Sequence, residues 1–325
     1  MGTAETSVAA TAAKPIRRAS FRRRETLAFY SFLSPWLLGF IALTSIPLVL
    51  GFAMSLSNLT TVNFHTNLHY VGADNYVRAY HDHELWLSLE RTGVFMVTIV
   101  PLWIVTQLGL AMILNAGIKL LGLWRTLFYL AVVVPVVAKA FIWKAITAQD
   151  GGLINRVLGA LGGSSHIDWL LDHPTETLVM LLLWGGAGSG MLIFLAGLKS
   201  IPEDLYEVAR IDGANGLRRF TAITLPLLTP VIMFQLVWGL VFAANTFVEP
   251  ILLSPGLQQG LVGSTVPSQN IFVNLYALNL IFGEGDFGYG AAIAWIFVTF
   301  LLIVTALVFL SGRFWVFSTR EQYGK

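Results

Sequence analysis

The sequence contains no cysteine and comparatively few charged residues. The lack of cysteine excludes disulfides, cysteine metal sites and catalysis by a thiol. Charged residues make up 12% of the chain and hydrophobic residues 56%, whereas soluble domains have about 25% charged and roughly 45–50% apolar residues. The composition therefore excludes an ordinary soluble domain and indicates a membrane protein.

Sequence motifs of nucleotide hydrolysis and of hydrolytic catalysis are also missing. Gly-Lys occurs only as Gly324–Lys325, so the chain lacks the G-x-x-x-x-G-K-[ST] loop that cradles phosphates. No Ser/His/Asp arrangement and no pair of carboxylates within an apolar run stands out. The stretch His81–Glu84 could suggest a metal site, but no fuller ligand set accompanies it, and a solvated loop is favoured. We expect a protein that is not an enzyme and that binds no metal or cofactor of its own.

Six apolar runs are long enough to cross a bilayer, which takes about 20 residues as a helix. They are Phe29–Met54, Thr92–Asn115, Thr126–Ala148, Thr175–Leu198, Phe220–Leu253 and Phe287–Leu310. The fifth run is too long for one crossing, so part of it should protrude. The sequence thus predicts an all-α polytopic membrane protein with six transmembrane helices over residues 29–311. We expect a disordered basic tail at residues 1–28 and a second tail at residues 312–325.

Positive charges are concentrated in the segments that would share one side of the membrane. The two tails and the loops after the second and fourth runs hold most of the 20 Lys and Arg residues, whereas the segments on the other side hold Arg78 and Arg156. Since Lys and Arg favour the cytoplasmic side, both termini should be cytoplasmic. The basic N-terminal stretch should lie close to anionic membrane lipid, and no nucleic-acid partner is expected.

The loop at residues 199–217 is unusually charged for this chain. Ser200, Pro202 and Glu203 form a helix-start signature, and Gly213 can adopt the left-handed conformation that ends a helix. The pattern predicts a helix of about ten residues, roughly 15 Å long, with one apolar and one charged side. Such a helix could lie on the membrane surface, or it could fit a groove in another protein.

Two prolines come after this loop in the fifth apolar run. Pro226 and Pro230 are four residues apart and therefore lie on one helix face. Because each removes a backbone donor, they should bend the helix. A rigid loop helix joined to a bent span would transmit its displacement to that span.

The charged loop resembles the EAA motif of the permease subunits of binding-protein-dependent ABC importers. The matching residues are Glu207, Ala209, Gly213, Ile223, Leu225 and Pro226, while Val208 stands where the motif has alanine. The resemblance implies that the loop forms a coupling helix that docks on a separate ATPase subunit. The residues that would make this contact are Tyr206, Glu207, Val208, Ala209, Arg210, Asp212, Gly213 and Ala214.

Other segments are similar to the carbohydrate-uptake, maltose-type group of these permeases, namely Tyr70–Tyr80, Gly151–Gly159 and Phe287–Trp295. The resemblance implies a type I ABC importer permease fold, half of a translocation pathway and a sugar substrate. It also implies a second permease subunit, a dimer of ATP-binding subunits that carries ATP and magnesium, and an extracytoplasmic solute-binding protein. The complex would lie in a bacterial or archaeal inner membrane.

Two alternatives to sugar import are left open by the residues. The cargo of the importer could be a sugar phosphate, a polyamine or a peptide. A proton-coupled carrier or a membrane-embedded enzyme would belong to another class. A carrier would need carboxylates or histidines near the middle of the membrane, where the sequence offers only Glu249, near the end of a run.

One stripe of the fifth run combines polar and aromatic side chains. Gln235, Trp238, Phe242, Asn245 and Glu249 recur at helical spacing and would share one face of the helix. Because sugars offer hydroxyl groups to amides and apolar ring faces to aromatics, this stripe suits a substrate path. Packing against a partner permease is the alternative, since amides also join membrane helices.

Two further features of the membrane runs have more than one interpretation. The small residues of Trp184–Gly190 favour close helix packing, and a broken helix that exposes its backbone to substrate is the alternative. Lys139 lies within the third run, where a charge is costly. It could extend to the membrane surface, and we hypothesise that it pairs with Glu249 or contacts substrate.

Overall fold

The computed structural model describes residues 18–61, 69–254 and 266–317 of the 325-residue chain. Within these ranges no β-strand occurs, and extended pairing is limited to isolated bridges between Ser57 and Tyr70 and between Thr60 and Asp286. The chain divides into two compact units, Met1–Ala53 and Met54–Lys325. The all-α architecture predicted from the apolar runs is confirmed.

The described ranges contain fourteen α-helices in sequence order. They are α1 (Arg18–Phe40), α2 (Ile46–Ser55), α3 (Asp74–His81), α4 (His83–Asn115), α5 (Leu121–Val133), α6 (Val136–Ile146), α7 (Leu153–Ala160), α8 (Pro174–Lys199), α9 (Glu203–Ile211), α10 (Gly216–Arg219), α11 (Leu225–Ala244), α12 (Val248–Leu253), α13 (Val273–Leu278) and α14 (Phe287–Trp315). Three π-helical turns, Ile41–Ser45, Phe220–Thr224 and Asn279–Gly283, and a 3-10 turn, Ser268–Asn270, join some of them.

The first unit consists of α1, the π-helical turn after it and most of α2. The helical stretch Glu25–Ser55, which ends two residues beyond this unit, has 31 residues and is long and apolar enough to cross a membrane. Because α1 begins at Arg18, residues 18–28, expected to belong to a disordered tail, are helical. Residues 1–17 of that predicted tail, and residues 318–325 of the C-terminal one, lie outside the described residues.

Four long helices and one bent helix pair account for the membrane-length segments of the second unit. The long helices are α4, α8, the continuous stretch Gly216–Ala244 that includes α11, and α14. The bent pair is α5 and α6, whose axes differ by 101°. The described residues therefore contain five membrane-length helices, or six spans when the bent pair counts as one.

The break between α5 and α6 corrects the expectation of one uninterrupted helix over Thr126–Ala148. Val134 is extended, with φ −61° and ψ 128°, and Pro135 comes next with φ −57° and ψ 145°. The ring of a proline disfavours the helical conformation of the residue before it. The dipeptide Val134–Pro135 thus ends α5, and Val136 begins a helix in a new direction.

The fifth apolar run also ends earlier than its hydropathy indicates. The helix that begins at Gly216 stops at Ala244, and Val248–Leu253 forms the separate helix α12. The intervening Phe247 has φ −144° and ψ −26°, outside the helical region. The excess length of this run is therefore taken up by a break and a second short helix.

Two buried clusters hold the second unit together, one toward each end of α4. The first includes Phe95, Leu181, Phe272 and Tyr289, and the second includes Leu114, Phe194, Leu198 and Leu228. The end of the unit at which α4 begins is named the Asp82 end, and the opposite end, where α9 lies, is named the α9 end. Since lipid is as apolar as these side chains, close packing rather than removal from water favours their association.

Candidate functional site

Glycines of α8 allow side chains of α4 to approach the α8 backbone. A Cβ atom at Gly186 would lie 2.1 Å from the ring of Trp103, and one at Gly190 would lie 2.0 Å from Gln107 Oε1. α8 runs unbroken through Trp184–Gly190. The small residues of this run therefore serve close helix packing, and the alternative of a broken helix is wrong.

Two buried amides join α4 to α11 at this contact. Gln235 Nε2 donates to Gln107 Oε1 at 2.7 Å, and Gln107 Nε2 donates to the backbone oxygen of Gly186 at 3.1 Å. Gln235 Oε1 and Trp103 Nε1 are buried, and no protein group among the described residues bonds them. Because unpaired polar atoms are costly inside a membrane, these two atoms mark the contact as a polar point within the helix bundle.

A cavity of about 250 Å³ lies beside this amide pair, between α4, α8 and α11. Its lining includes Trp103, Gln107, Ser189, Phe234, Gln235 and Trp238. Amide and hydroxyl groups can exchange hydrogen bonds with a polar ligand, and the aromatic rings can cover its apolar faces. The cavity is therefore suited to a small ligand with both kinds of surface.

The predicted stripe of the fifth run is only partly brought together by the fold. Gln235 and Trp238 line the cavity, and the ring of Phe242 lies 4.7 Å from that of Trp103, measured between centroids. Asn245 lies just beyond the last helical residue, and its Nδ2 donates to the backbone oxygen of Val241. Glu249 belongs to α12, so the expectation of one continuous face through all five residues is wrong.

Trp103, Gln107 and Ser189 line the cavity but were not among the residues predicted for the substrate path. Gln107 carried a usable signal, because it is a polar residue within the apolar run Thr92–Asn115. Its pairing with Gln235 could not be read from the sequence, since 128 residues separate the two.

Lys139 lies on α6, which packs against α12 and α8. Its Nζ would be 3.3 Å from a Cβ atom at Gly185. Among the described residues no ion pair within 4.0 Å joins Lys139 to an acid. The nearby Lys144 Nζ donates to the backbone oxygen of Ser254 at 2.8 Å. Lys144 thus links α6 to the residue that follows α12, while pairing of Lys139 with Glu249 stays a hypothesis.

The predicted helix of the charged loop is α9, at Glu203–Ile211. Gly213 has φ +75°, the left-handed conformation expected at the helix end, and Ala214 N donates to Ala209 O at 2.8 Å. Pro202, rather than Ser200, precedes the helix. Ser200 instead lies directly after α8, and its hydroxyl donates to the backbone oxygen of Gly197. The helix and its end are confirmed, and the predicted cap is wrong.

Most of α9 is exposed, including apolar side chains. Val208 is 57% exposed and Ile211 85% exposed. Glu207, Arg210, Asp212 and Gly213 are also exposed, while Ala209 and Ala214 are half-buried. Tyr206 differs from its neighbours, because it packs against the cluster at the α9 end and its hydroxyl lies 2.9 Å from Thr224 Oγ1.

A polar network at the Asp82 end was not predicted. Asp82 Oδ1 accepts hydrogen bonds from the backbone N–H groups of Glu84 and Leu85 and thereby caps α4. Asp82 Oδ2 accepts hydrogen bonds from the hydroxyls of Tyr276 and Tyr289. Burial opposes the charge of Asp82, but the bonds from Tyr289 and Tyr276 outweigh it and hold the pKa of Asp82 below its usual value.

Arg78 extends this network to the start of α14. Its Nη1 donates to Asp286 Oδ2 at 2.7 Å, and its guanidinium lies 3.8 Å from the centre of the Tyr289 ring. Asp286 Oδ1 in turn accepts from the backbone N–H of Tyr289 and caps α14. The network therefore ties α3, α4, α13 and α14 together.

Comparison with known protein families assigns most of this chain. Residues 105–316 match the family described as "Binding-protein-dependent transport system inner membrane component". This range begins within α4 and ends just after α14. It includes α9 and most of the cavity lining, while Val100, Trp103 and Ile104 lie just before it.

Curated proteins similar to this chain include several named as permeases. The chain is 36% identical to "Probable ABC transporter permease protein YesP" of Bacillus subtilis, over 92% of this chain and 95% of that protein. It is 33% identical to "Trehalose/maltose transport system permease protein MalF" of Thermococcus litoralis, over 90% of this chain and 95% of that protein.

Among solved structures, a similar chain belongs to a bacterial ABC transporter involved in the import of the acidic polysaccharide alginate. The TM-score is 0.77 at 20% sequence identity, with 91% of this chain and 99% of that chain covered. At this identity the likeness shows the fold.

Proposed function

The chain belongs to the family of binding-protein-dependent transport system inner membrane components, and we propose that it is a sugar-conducting permease subunit of an ATP-driven importer. It is a multi-pass membrane protein and not an enzyme. The cavity between α4, α8 and α11 would form part of the sugar path, and α9 would receive force from an ATPase. The lining of the cavity, which combines amides and a hydroxyl with aromatic rings, is the observation that supports its role most directly.

Sugar as cargo is supported by relatives and by the chemistry of the cavity. The relatives named for trehalose and maltose and, at 31% identity over 76% of this chain, for lactose are similar along most of its length. Within the cavity, the polar residues Gln107, Ser189 and Gln235 can offer hydrogen bonds to sugar hydroxyls, while Trp238 can cover an apolar ring face. A mono- or oligosaccharide has both features.

Replacing Gln235 with leucine tests the cavity. Loss of the amide should lower sugar uptake about ten-fold, as expected when one or two hydrogen bonds to a ligand are lost. Gln149→Leu is the matched control, because Gln149 is exposed and does not line the cavity. Uptake by Gln235→Leu equal to that of the control, at equal amounts in the membrane, would remove the cavity from the path.

The proposed role of α9 is to dock on an ATP-binding subunit. The proposed contact residues are Glu207, Val208, Ala209, Arg210, Asp212, Gly213 and Ala214, whereas Tyr206, which was predicted with them, packs inward against the buried cluster and is left out of the contact. The exposed apolar residues Val208 and Ile211 support this role, since an apolar surface beside a charged one suits a protein groove. ATP and magnesium would be held by the partner subunit.

The rest of the assembly is part of the same proposal. A second permease would complete the pathway, and an extracytoplasmic solute-binding protein would deliver the sugar. Both termini and α9 would be cytoplasmic, because the segments on that side carry most of the Lys and Arg residues. Membrane lipid would surround the spans of a bacterial or archaeal inner membrane.

The absence of cysteine makes a precise cross-linking experiment possible. Val208→Cys, in the complex purified with its native partners, should be captured by a short cross-linker on a chain that carries a phosphate-binding loop. Val157→Cys on α7 is the matched control, because Val157 is 51% exposed and Val208 57%. The proposed docking fails if the ATPase chain is captured from neither position, or equally from both.

The same two variants test the orientation of the chain. A membrane-impermeant maleimide applied to intact cells should label the cysteine at position 157 and leave the one at position 208 unlabelled until the membrane is opened. The reverse pattern would contradict the proposed orientation.

A further inference from the structure

Tyr206 connects α9 to the helix that lines the cavity. Its hydroxyl lies 2.9 Å from Thr224 Oγ1, and its ring packs against the same buried cluster as Phe220 and Ile223. Among the described residues, no other side-chain hydrogen bond leaves α9. The backbone joins α9 to α10 through a turn whose Gly213 has φ +75°.

Thr224 closes a π-helical turn at the entrance to α11. The turn spans Phe220–Thr224, and the N–H of Leu225 donates five residues back to Phe220 O. Pro226 is the next residue and cannot donate a backbone hydrogen bond. Single π-helical turns of this kind are frequent at functional sites and are less regular than the α-helix around them. The bond from Tyr206 thus reaches α11 at the least regular point of its helix.

We propose that the Tyr206–Thr224 hydrogen bond transmits the displacement of α9 to α11 and hence to the cavity. The proposal rests on the function proposed above. A displacement of α9 could be absorbed by the turn at Gly213 and Gly216, because glycine restricts the backbone least. A direct bond to Thr224, which is 6% exposed, bypasses this turn. Tyr206 is therefore a positioning residue that faces inward, and the exposed residues of α9 make the contact with the ATPase.

Three single variants test this assignment in the purified complex reconstituted into vesicles with its binding protein. Tyr206→Phe and Thr224→Val each remove one hydroxyl and keep the shape of the side chain. Each should lower the sugar transported per ATP hydrolysed about five-fold, the effect of one hydrogen bond. Thr224→Ser keeps the hydroxyl and should retain the wild-type ratio. Thr221→Val is the matched control, because Thr221 lies in the same turn but donates to the backbone oxygen of Leu217.

Combining the two substitutions shows whether both remove the same hydrogen bond or act independently. The double variant Tyr206→Phe with Thr224→Val should transport no less sugar per ATP than either single variant. A reduction equal to the product of the two single effects would overturn the proposal. An unchanged ratio in both single variants would also overturn it, as would a loss in Thr221→Val as large as that in Thr224→Val.

The cross-linking yield at Val208→Cys distinguishes this inference from the proposed function. The yield and the melting temperature should be the same with and without Tyr206→Phe, because docking uses the opposite side of α9. Normal cross-linking together with an unchanged sugar-to-ATP ratio in Tyr206→Phe would refute the role of the Tyr206–Thr224 bond and leave the docking proposal standing. Absence of cross-linking in the otherwise unaltered protein would refute the docking proposal itself.

Discussion

The two ends of the second unit are held together in different ways. At the Asp82 end, one carboxylate accepts four hydrogen bonds, and Arg78 joins the same network through Asp286. At the α9 end, a nine-residue helix makes one side-chain hydrogen bond to the rest of the described residues, between Tyr206 and Thr224, and leads into a turn with glycine in the left-handed conformation. The first end should behave as a rigid body, whereas the second can move relative to the bundle.

The strength of the individual bonds reinforces this difference. Hydrogen bonds to a charged group contribute about 1.5–3 kcal/mol each, and those between neutral groups about 0.5–1.5 kcal/mol. Changes at the Asp82 end should therefore reduce stability. Changes on the exposed side of α9 should leave stability unaltered and reduce transport.

The largest effect is expected at Glu207, on the exposed side of α9. Glu207→Lys should lower sugar uptake at least about 100-fold, since a reversed charge in a docked interface costs several kcal/mol. The melting temperature and the amount in the membrane should not change. Glu203→Lys, a charge reversal one turn earlier on the same helix, should retain most of the uptake. Normal uptake by Glu207→Lys would contradict the role assigned to this residue.

Removal of the Asp82 carboxylate should give the largest loss of stability. Asp82→Ala leaves two backbone donors and two tyrosine hydroxyls without their acceptor, and should cost about 3 kcal/mol of unfolding free energy. Thermal unfolding in detergent measures this loss against Asp172→Ala, a change of an exposed aspartate. Equal melting temperatures for the two variants would show that the network does not stabilise this end.

Between the two ends, close contact of α8 with α5 should make Gly188 intolerant of a side chain. A Cβ atom there would lie 2.4 Å from the backbone oxygen of Phe128, which cannot rotate away. Gly188→Ala should therefore cost about 2 kcal/mol. Gly109→Ala is the matched control, because no atom lies within 4 Å of its added Cβ. A similar melting temperature for both variants would disprove the close contact.

Reversal of the Lys139 charge tests its relation to Glu249. Lys139→Glu should place two like charges near each other and lower uptake about ten-fold, equivalent to ~1.4 kcal/mol. The second substitution Glu249→Lys should restore uptake. If the single and the double variant insert normally and show equally poor uptake, the result would count against pairing.

The smallest effect concerns the pH dependence of stability at the Asp82 end. The pKa of Asp82 is lower in the folded protein than in the unfolded one. The ionised carboxylate therefore makes its full contribution to the free energy of unfolding above the unfolded pKa of about 3.9. This stabilising contribution is lost as the pH falls below the unfolded pKa and then through the lower pKa of the folded protein. The difference in melting temperature between wild type and Asp82→Asn should therefore narrow below about pH 4. A difference that stays constant to pH 3 would contradict the lowered pKa.

The helices themselves were largely predictable, and their breaks less so. Runs of apolar residues identified the long spans, because a membrane requires about 20 of them in a helix. Gly213 marked the end of α9, because a glycine after a helix favours the left-handed conformation. The sequence also contained the signal for the break at Val134–Pro135, but the apolar run around it masked that signal.

The candidate site was predicted only in part. Gln235 and Trp238 could be found as polar and aromatic residues in one apolar run, but the helix end at Ala244 removed Asn245 and Glu249 from their face. Asp82 was read as part of a solvated loop, because its tyrosine partners lie 194 and 207 residues away. Tertiary packing determines which distant residues meet, and a local sequence pattern carries no information about it.

The sequence by itself determined that this chain is a helical membrane protein with a short charged helix between two spans. The effects of hydropathy, of proline and of glycine extend over a few neighbouring residues, so they can be predicted from the sequence. Only the tertiary structure decided that Gln107 meets Gln235, that Asp82 binds two tyrosines and that Tyr206 turns inward to Thr224. Each of these contacts depends on how closely distant helices approach, and that distance is set by the packing of the whole bundle.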